Sequence, residues 1–232
     1  MSRAPLRLGV LGGTLDPVHA GHLAAAHAAA RALSLNRVWL MPSHVPAHKA
    51  APAASPWHRF AMTALAVADD DDLAVSDIEM SRAGPSYTWD TLQALAAEGV
   101  SASQIFFITG ADAFAAIDTW HRFPDVLDAG HFVVVTRPGH ELPQSACAHP
   151  AIAPRLRRLP AADTAVATNP DDHCGIWLVQ ADTPDVSSSS IRHKFLTGQE
   201  VGTDVPPSVA AHIRRHGLYT SATAARRLHG EN

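Results

Sequence analysis

The densest chemistry in the chain lies in one run, Gly12-Gly13-Thr14-Leu15-Asp16-Pro17-Val18-His19-Ala20-Gly21-His22. Glycines in such a run let backbone N–H groups approach a phosphate closely. A helix beginning at its end adds the positive end of a helix dipole. His19 and His22 stand three residues apart at that helix start, so both imidazoles can face one side. Imidazole donors beside a glycine turn suit the charge that develops in phosphoryl transfer. Two histidines and an aspartate could also ligate a metal. The run is not His-Glu-x-x-His, however, and no further ligand cluster accompanies it. It also lacks the Gly-Lys-Ser/Thr of a Walker A loop and the G-x-G-x-x-G spacing of dinucleotide-binding oxidoreductases. Nucleotide phosphates are the ligand it favours.

A second run, Val186-Ser187-Ser188-Ser189-Ser190-Ile191-Arg192, lies far along the chain. Serine runs usually read as linkers. Followed directly by Ile-Arg and a helical pattern, this one reads as a helix start, where serine caps and free N–H groups bind anions and Arg192 can clamp phosphate.

The elements that must position these residues follow from periodicity. Leu6 to Leu11 reads as a buried strand ending in a glycine turn, His22 to Leu33 as an alanine-rich helix, and Arg37 to Met41 as a second strand closed by Pro42. This βαβ unit implies parallel strands and a right-handed crossover. Helices are predicted over Trp57 to Val67 (after Ser55-Pro56), Thr88 to Glu98, Ser189 to Leu196 and Pro207 to His216. Strands are predicted over Leu73 to Ser76, Gln104 to Thr109, His131 to Thr136 and Gly175 to Gln180. The alternation indicates an α/β protein with a doubly wound parallel sheet. Ligands then belong at the carboxyl edge, on the loops after Leu11, Met41, Thr109 and Thr136. Residues 1–220 read as a single domain and 221–232 as a flexible tail. The stretch 140–174 reads as an irregular insertion in which Leu156 to Leu159 forms a helical turn.

Composition narrows the class. The 232 residues are 47% hydrophobic and 17% charged, ordinary for a globular protein that needs no disulfide or structural metal. A formal net charge of −4 gives no global field for nucleic acid. No apolar stretch reaches the length of a membrane span, and no signal core precedes the first strand, so a cytoplasmic location is expected. Cys147 and Cys174 form no C-x-x-C and read as free thiols. Of the fifteen histidines, the scattered ones such as His58, His140, His149, His212 and His229 read as solvated surface residues.

With these motifs in view, the chain resembles a known family. Gly12 to His22 resembles the G-G-T-F-D-P-x-H-x-G-H signature of the His-x-Gly-His nucleotidyltransferases, with Leu15 replacing the usual phenylalanine. Val186 to Arg192 resembles their I-S-S-T-x-I-R motif, with Ser189 in place of threonine. Pro46-Ala47-His48-Lys49, Trp57-His58-Arg59-Phe60-Ala61-Met62, Pro85-Ser86-Tyr87-Thr88, Gly110-Ala111-Asp112 with Trp120, and Thr136-Arg137-Pro138-Gly139 are similar to further elements of bacterial nicotinate-mononucleotide adenylyltransferases. These elements run in family order from Gly9 to Tyr219 and are weakest over His140 to Asp172.

The resemblance implies a Rossmann-like nucleotidyltransferase fold with C-terminal helices. It also implies transfer of the adenylyl group of ATP to nicotinate mononucleotide in NAD biosynthesis, with Mg²⁺ held mainly by phosphates and with no nucleic-acid or membrane partner. Self-association is left open. His19, His22, Lys49 and Arg192 are the expected catalytic residues. ATP is expected to meet Gly12, Gly13, Thr14, Asp16, His19 and His22 on one side. Gly110, Asp112, Ser187, Ser188, Ser189 and Arg192 are expected to meet it on the other. The mononucleotide is expected to meet Tyr87, Thr88, Asp112, Trp120, His48 and Arg137. An aromatic such as Trp120 can stack on a pyridine ring, although on its own Trp120 reads equally as core and Asp112 as a helix cap. The competing readings are a sister enzyme acting on the amide mononucleotide or another phosphate acceptor, a non-catalytic nucleotide sensor, and a histidine-based metal-binding protein.

Overall fold

The computed structural model describes residues 6–47, 51–137, 141–157, 159 and 174–221. Strand β1 (Leu8–Gly13) leads into helix α1 (Ala20–Leu33) and strand β2 (Arg37–Pro42). Short β3 (Val45–Pro46), helix α2 (Pro56–Ala66), β4 (Leu73–Val75), short β5 (Pro85–Ser86) and helix α3 (Thr88–Ala97) follow. The second half contains β6 (Ile105–Gly110), α4 (Ala111–Phe114), β7 (His131–Thr136), α5 (Gln144–Cys147), β8 (Leu156–Arg157) and β9 (Ile176–Gln180). Helices α6 (Ser188–Thr197) and α7 (Pro207–Arg215) close the described chain. Seven strands form one sheet in the order β4-β2-β1-β6-β7-β9-β8, every neighbouring pair parallel. This is the α/β architecture with C-terminal helices expected from the alternation of elements.

The sheet's two faces are legible residue by residue, because strand side chains alternate. Leu8 and Val10 of β1, Ile105 and Phe107 of β6, and Phe132 and Val134 of β7 pack with Leu92 and Leu95 of α3 and Phe114 of α4. Their neighbours Leu11, Phe106, Ile108, Val133 and Val135 pack on the other face with α1, α2 and α7, through Ala26, Ala29, Leu33, Met62, Val209 and Ile213. A fully buried aromatic such as Phe106 or Phe132 contributes roughly 1.5–3 kcal/mol relative to exposure. The alanines of α1 combine high helix propensity with little bulk, which brings the helix axis close to the sheet.

The helix ends obey local chemistry. Ser55 Oγ accepts the His58 N–H at 3.3 Å with Pro56 following it, and Gly198 ends α6 in the left-handed region at φ 71°. Strand order reverses at β1, between β2 and β6. The crevice beyond the ends of those strands is where a doubly wound sheet binds ligands.

Two readings need correction. Leu156 to Leu159 is not a helical turn: Leu156 and Arg157 form an edge strand opposite Ile176 and Trp177 of β9. The tight turn lies just before, at Ala153–Arg155 with Pro154 in its first positions. Pairing to an exposed sheet edge outweighs the local pattern there. The β3–β5 pairing, Val45 opposite Pro85 and Pro46 opposite Ser86, has no counterpart in the sequence reading. Residues 138–140, 158, 160–173 and 222–232 lie outside the described residues, so much of the expected insertion and the expected tail does too. Both cysteines are free thiols. No helix among the described residues is long and apolar enough to cross a membrane.

Candidate active site

The glycine run leaves β1 and turns at Leu15, whose φ of 49° is unusual for a residue with a side chain. Burial holds it there, since Leu15 is almost wholly enclosed. Asp16 next to it anchors the loop. Its carboxylate accepts the Ala53 and Ala54 N–H groups and, at 2.7 Å, the Tyr219 hydroxyl. Burial and the facing Asp16 push the Tyr219 phenol well above its ordinary range, so it remains a donor.

Arg59 of α2, with 0% of its surface exposed, binds the same loops from beneath. Its guanidinium donates to the carbonyls of Thr14 at 2.8 Å, Ser43 at 2.6 Å and His44 at 3.0 Å. Burial lowers its pKa, and Asp16, Tyr219 and Glu79 oppose that shift. Thus one buried cation fixes the ends of β1 and β2 together.

Two helix N-termini face the resulting cleft. His19 occupies the N-cap of α1, and its backbone N–H donates to His22 Nδ1 at 3.2 Å. In the neutral His22 ring the proton therefore sits on Nε2. The two rings pack against each other, tilted by 32°, with centroids 3.7 Å apart. Gly21 makes room for this, because a Cβ there would come within 3.1 Å of the His19 ring.

At α6, Ser187 Oγ accepts the Ser190 N–H at 3.1 Å, while Ser188 Oγ donates to the Pro17 carbonyl at 2.9 Å. Arg192 spans the two motifs, donating to the Asp16 carbonyl at 2.7 Å and to Ser189 Oγ at 3.0 Å. The first two N–H groups of α6, those of Ser188 and Ser189, have no partner among the described residues, which is the arrangement that binds anions.

Two cavities open from this region. The larger, about 660 Å³, runs from the glycine loop past Gly110 and Asp112 to Arg137 and the serine run. The smaller, about 270 Å³, is lined by Ser43, Glu79, Tyr87, Thr88, Phe107, Trp120 and His121. Gly12, Gly13, Thr14, Thr109 and Ala113 line both. Trp120 meets Phe107 and Phe132 edge-on, and the Tyr87 and His121 rings lie 4.5 Å apart. Two ligands can therefore meet at the glycine loop.

Residues 10–194 match the cytidylyltransferase-like family. A probable nicotinate-nucleotide adenylyltransferase of Aeromonas hydrophila is 38% identical over 215 residues, covering 93% of this chain and 98% of that protein. A relative of the same name from Pseudomonas fluorescens is 40% identical over 219 residues, covering 92% and 97%. The chain belongs to the nicotinate-nucleotide adenylyltransferase family. The fold is also similar to Plasmodium falciparum nicotinic acid mononucleotide adenylyltransferase complexed with NaAD, at 15% identity and a TM-score of 0.69, covering 92% and 97% of the two chains.

Within this adenylyltransferase-family fold, every residue expected to meet ATP lines the larger cavity. Their roles are less alike than the sequence suggests. Asp16 has its carboxylate committed to the loop and acts as a positioning residue. His19, expected as a phosphate donor equal to His22, is only 7% exposed, and its Nδ1 is enclosed without a hydrogen-bond partner among the described residues. The expected mononucleotide set is divided: Tyr87, Thr88 and Trp120 line the smaller cavity, but Asp112 and Arg137 line the larger. Arg137 is paired there with Asp185 at 3.0 Å. Lys49 and His48 lie outside the described residues. Ser43, Glu79, His121 and Tyr219 were missed. Position beside Trp120 could have suggested His121, whereas nothing local marks Glu79.

Burial pushes the His19 imidazole down to about 4, opposed in part by Asp204. An unfolded histidine titrates near 6.5, so the unfolded chain binds more protons between the two values. The stabilising contribution is then complete above about pH 6.5 and lost as pH falls towards about 4. Moving from about pH 7 to about pH 5 is expected to cost about 2 kcal/mol at this residue. His19→Asn should remove that part of the slope, as read by urea unfolding at both pH values. An unchanged slope would rule out His19 as its source.

Proposed function

We propose that this protein transfers the adenylyl group of ATP to nicotinate mononucleotide, forming nicotinate adenine dinucleotide and pyrophosphate in NAD biosynthesis. The observation that carries the reading is the pair of cavities sharing Gly12, Gly13 and Thr14. The larger, with two helix N-termini and Arg192, suits a nucleoside triphosphate. The smaller, with Trp120 beside Thr88, suits a pyridine ring.

A phosphate oxygen of the mononucleotide attacks the α-phosphorus of ATP in line. The new P–O bond forms as the bond from the α-phosphorus to the pyrophosphate breaks. That phosphate is already an anion near neutral pH, so no general base and no covalent enzyme intermediate are needed. Catalysis is alignment plus stabilisation of charge. His22 donates from Nε2, the N-terminus of α6 faces the phosphates, and Arg192 holds the α6 motif against the glycine loop. Lys49 and His48, assigned on sequence alone, would add positive charge.

Mg²⁺ fits this donor set. Asp112 is exposed at the larger cavity with no hydrogen bond or ion pair to another described residue, and a single carboxylate suffices for an ion carried mainly by phosphates and water. When bound, the ion supplies charge neutralisation on the phosphate oxygens.

Preference for the acid is supported by the N-terminus of α3, whose first N–H groups, those of Thr88 to Asp90, have no partner among the described residues. A helix N-terminus stabilises an anion by about 0.3–1 kcal/mol when exposed and up to about 2 kcal/mol when partly buried. Glu79 opposes it from the same cavity. Its Oε1 is engaged by the Thr91 hydroxyl at 2.6 Å, which draws its charge towards that partner. Trp120→Ala is expected to raise KM for nicotinate mononucleotide about tenfold, the loss of one stacked ring, with KM for ATP little changed. Steady-state kinetics with each substrate varied separately tests this. A rise confined to ATP would reverse the assignment of the cavities.

A further inference from the structure

Three histidines that line neither cavity are grouped where α2 meets α7. His58 lies in the first turns of α2, and His212 and His216 lie one helical turn apart at the end of α7. His58 Nδ1 and His212 Nε2 are 3.1 Å apart. The His216 ring centroid is 4.4 Å from that of His212 and 4.9 Å from that of His58. Read singly from the sequence, His58 and His212 are solvated surface residues; in the fold they are half-buried and face each other.

No carboxylate forms an ion pair with any of the three among the described residues. Three imidazoles packed without an anion repel one another once protonated. Burial first, and His216 next, lower the pKa values of both His58 and His212. Neutral imidazole, not imidazolium, is the form that binds a metal.

We infer that His58, His212 and His216 form a transition-metal site that takes one divalent ion of the zinc class and ties α7 to α2. Two nitrogens on a tetrahedral zinc ion, with bonds of about 2.0–2.1 Å, lie about 3.3 Å apart, close to the spacing of His58 and His212. His216 follows His212 at i+4, the spacing at which helix side chains converge. The His216 nitrogens do not converge with the other two to within 4.8 Å as the ring stands; its exposed side chain must turn to supply the third ligand, and water completes the shell. Imidazole donors suit zinc, copper or nickel rather than magnesium, so this site and the ATP-bound ion would not compete. Arg215 is a neighbouring cation that acts against binding at His212. A rival cluster, His27 with Asp70 and Asp72, has ligand atoms within 4.8 Å of one another. There Asp70 is already spent, with one oxygen on His27 at 2.9 Å and the other accepting the Asp72 and Leu73 N–H groups.

The test uses the untagged full chain, stripped with a chelator and titrated with zinc chloride by calorimetry and by thermal unfolding. The expected result is one saturable equivalent in the parent, weakened about tenfold or more in His58→Ala and in His212→Ala and unchanged in His27→Ala. At free zinc about a hundred times Kd, the parent's Tm should rise by about 5 °C or more while the two variants' should not. Retained basal turnover in His58→Ala and His212→Ala shows that they fold. Zinc binding that survives both substitutions, that is lost in His27→Ala instead, or that never saturates in the parent overturns the inference.

Discussion

Replacing Arg59 with alanine is expected to cost about 3–5 kcal/mol of folding free energy, the range for emptying a buried site and stranding its hydrogen-bond partners. Arg59 is wholly buried, and three loop carbonyls, those of Thr14, Ser43 and His44, accept from its guanidinium. Alanine strips those carbonyls of that donor, the Ser43 carbonyl in buried surroundings. It also removes the charge whose field Asp16 partly balances. Arg59→Lys should recover only part of the loss, because one ammonium cannot reach three divergent acceptors with fork geometry. Urea denaturation reads the result, and a loss below about 1 kcal/mol, the worth of one ordinary hydrogen bond, would mean the network is not what joins the ends of β1 and β2. Any Arg59→Ala protein that remains folded should also show raised KM for both substrates, since the wall shared by the cavities contains Thr14.

His22→Ala should behave in the opposite way, with stability nearly intact and turnover reduced. Removing one preorganised donor from a developing phosphate charge costs about 10²–10³ in kcat, or about 2.7–4 kcal/mol of transition-state stabilisation. His22 is half-exposed on the first turn of α1, and its truncation leaves the His19 N–H to be satisfied by water. The contrast with His19 is informative. That ring is enclosed and packed against His22, and its loss should change protein stability and the orientation of its neighbour together. Single-turnover rates separate the two effects. An unchanged chemical step in His22→Ala would remove that side chain from the catalytic account.

Much of this was legible in the chain because the relevant physics is local. The βαβ pattern around Gly12 to His22 needs only an apolar strand, a glycine turn and an alanine-rich helix, and all three appear where periodicity put them. Strand and helix ends shift by one or two residues, as at β1, where the strand runs on through Gly13. The Ser187–Arg192 motif was likewise readable as a helix start. What sequence could not supply was the partition of roles. Asp16 looks like a ligand-binding aspartate until Tyr219, 203 residues away, is seen donating to it. His19 and His22 look equivalent until one is found capping a helix and the other facing the cleft. Asp112 and Arg137 were grouped with Trp120 on the resemblance of their motifs to family elements, yet the sheet directs them to different cavities. Short-range pairing also escaped notice at β3 and β5, where two-residue strands carry no periodicity.

The function assigned to the glycine loop and its two cavities is most directly tested by one comparison. The purified full chain, with saturating Mg²⁺-ATP, is offered nicotinate mononucleotide and nicotinamide mononucleotide in parallel, and dinucleotide and pyrophosphate are followed together. The account predicts stoichiometric nicotinate adenine dinucleotide and pyrophosphate, with kcat/KM favouring the acid about tenfold or more, at the upper end of what a partly buried helix N-terminus supplies. Equal or faster turnover of the amide, or no dinucleotide from either substrate, would contradict it.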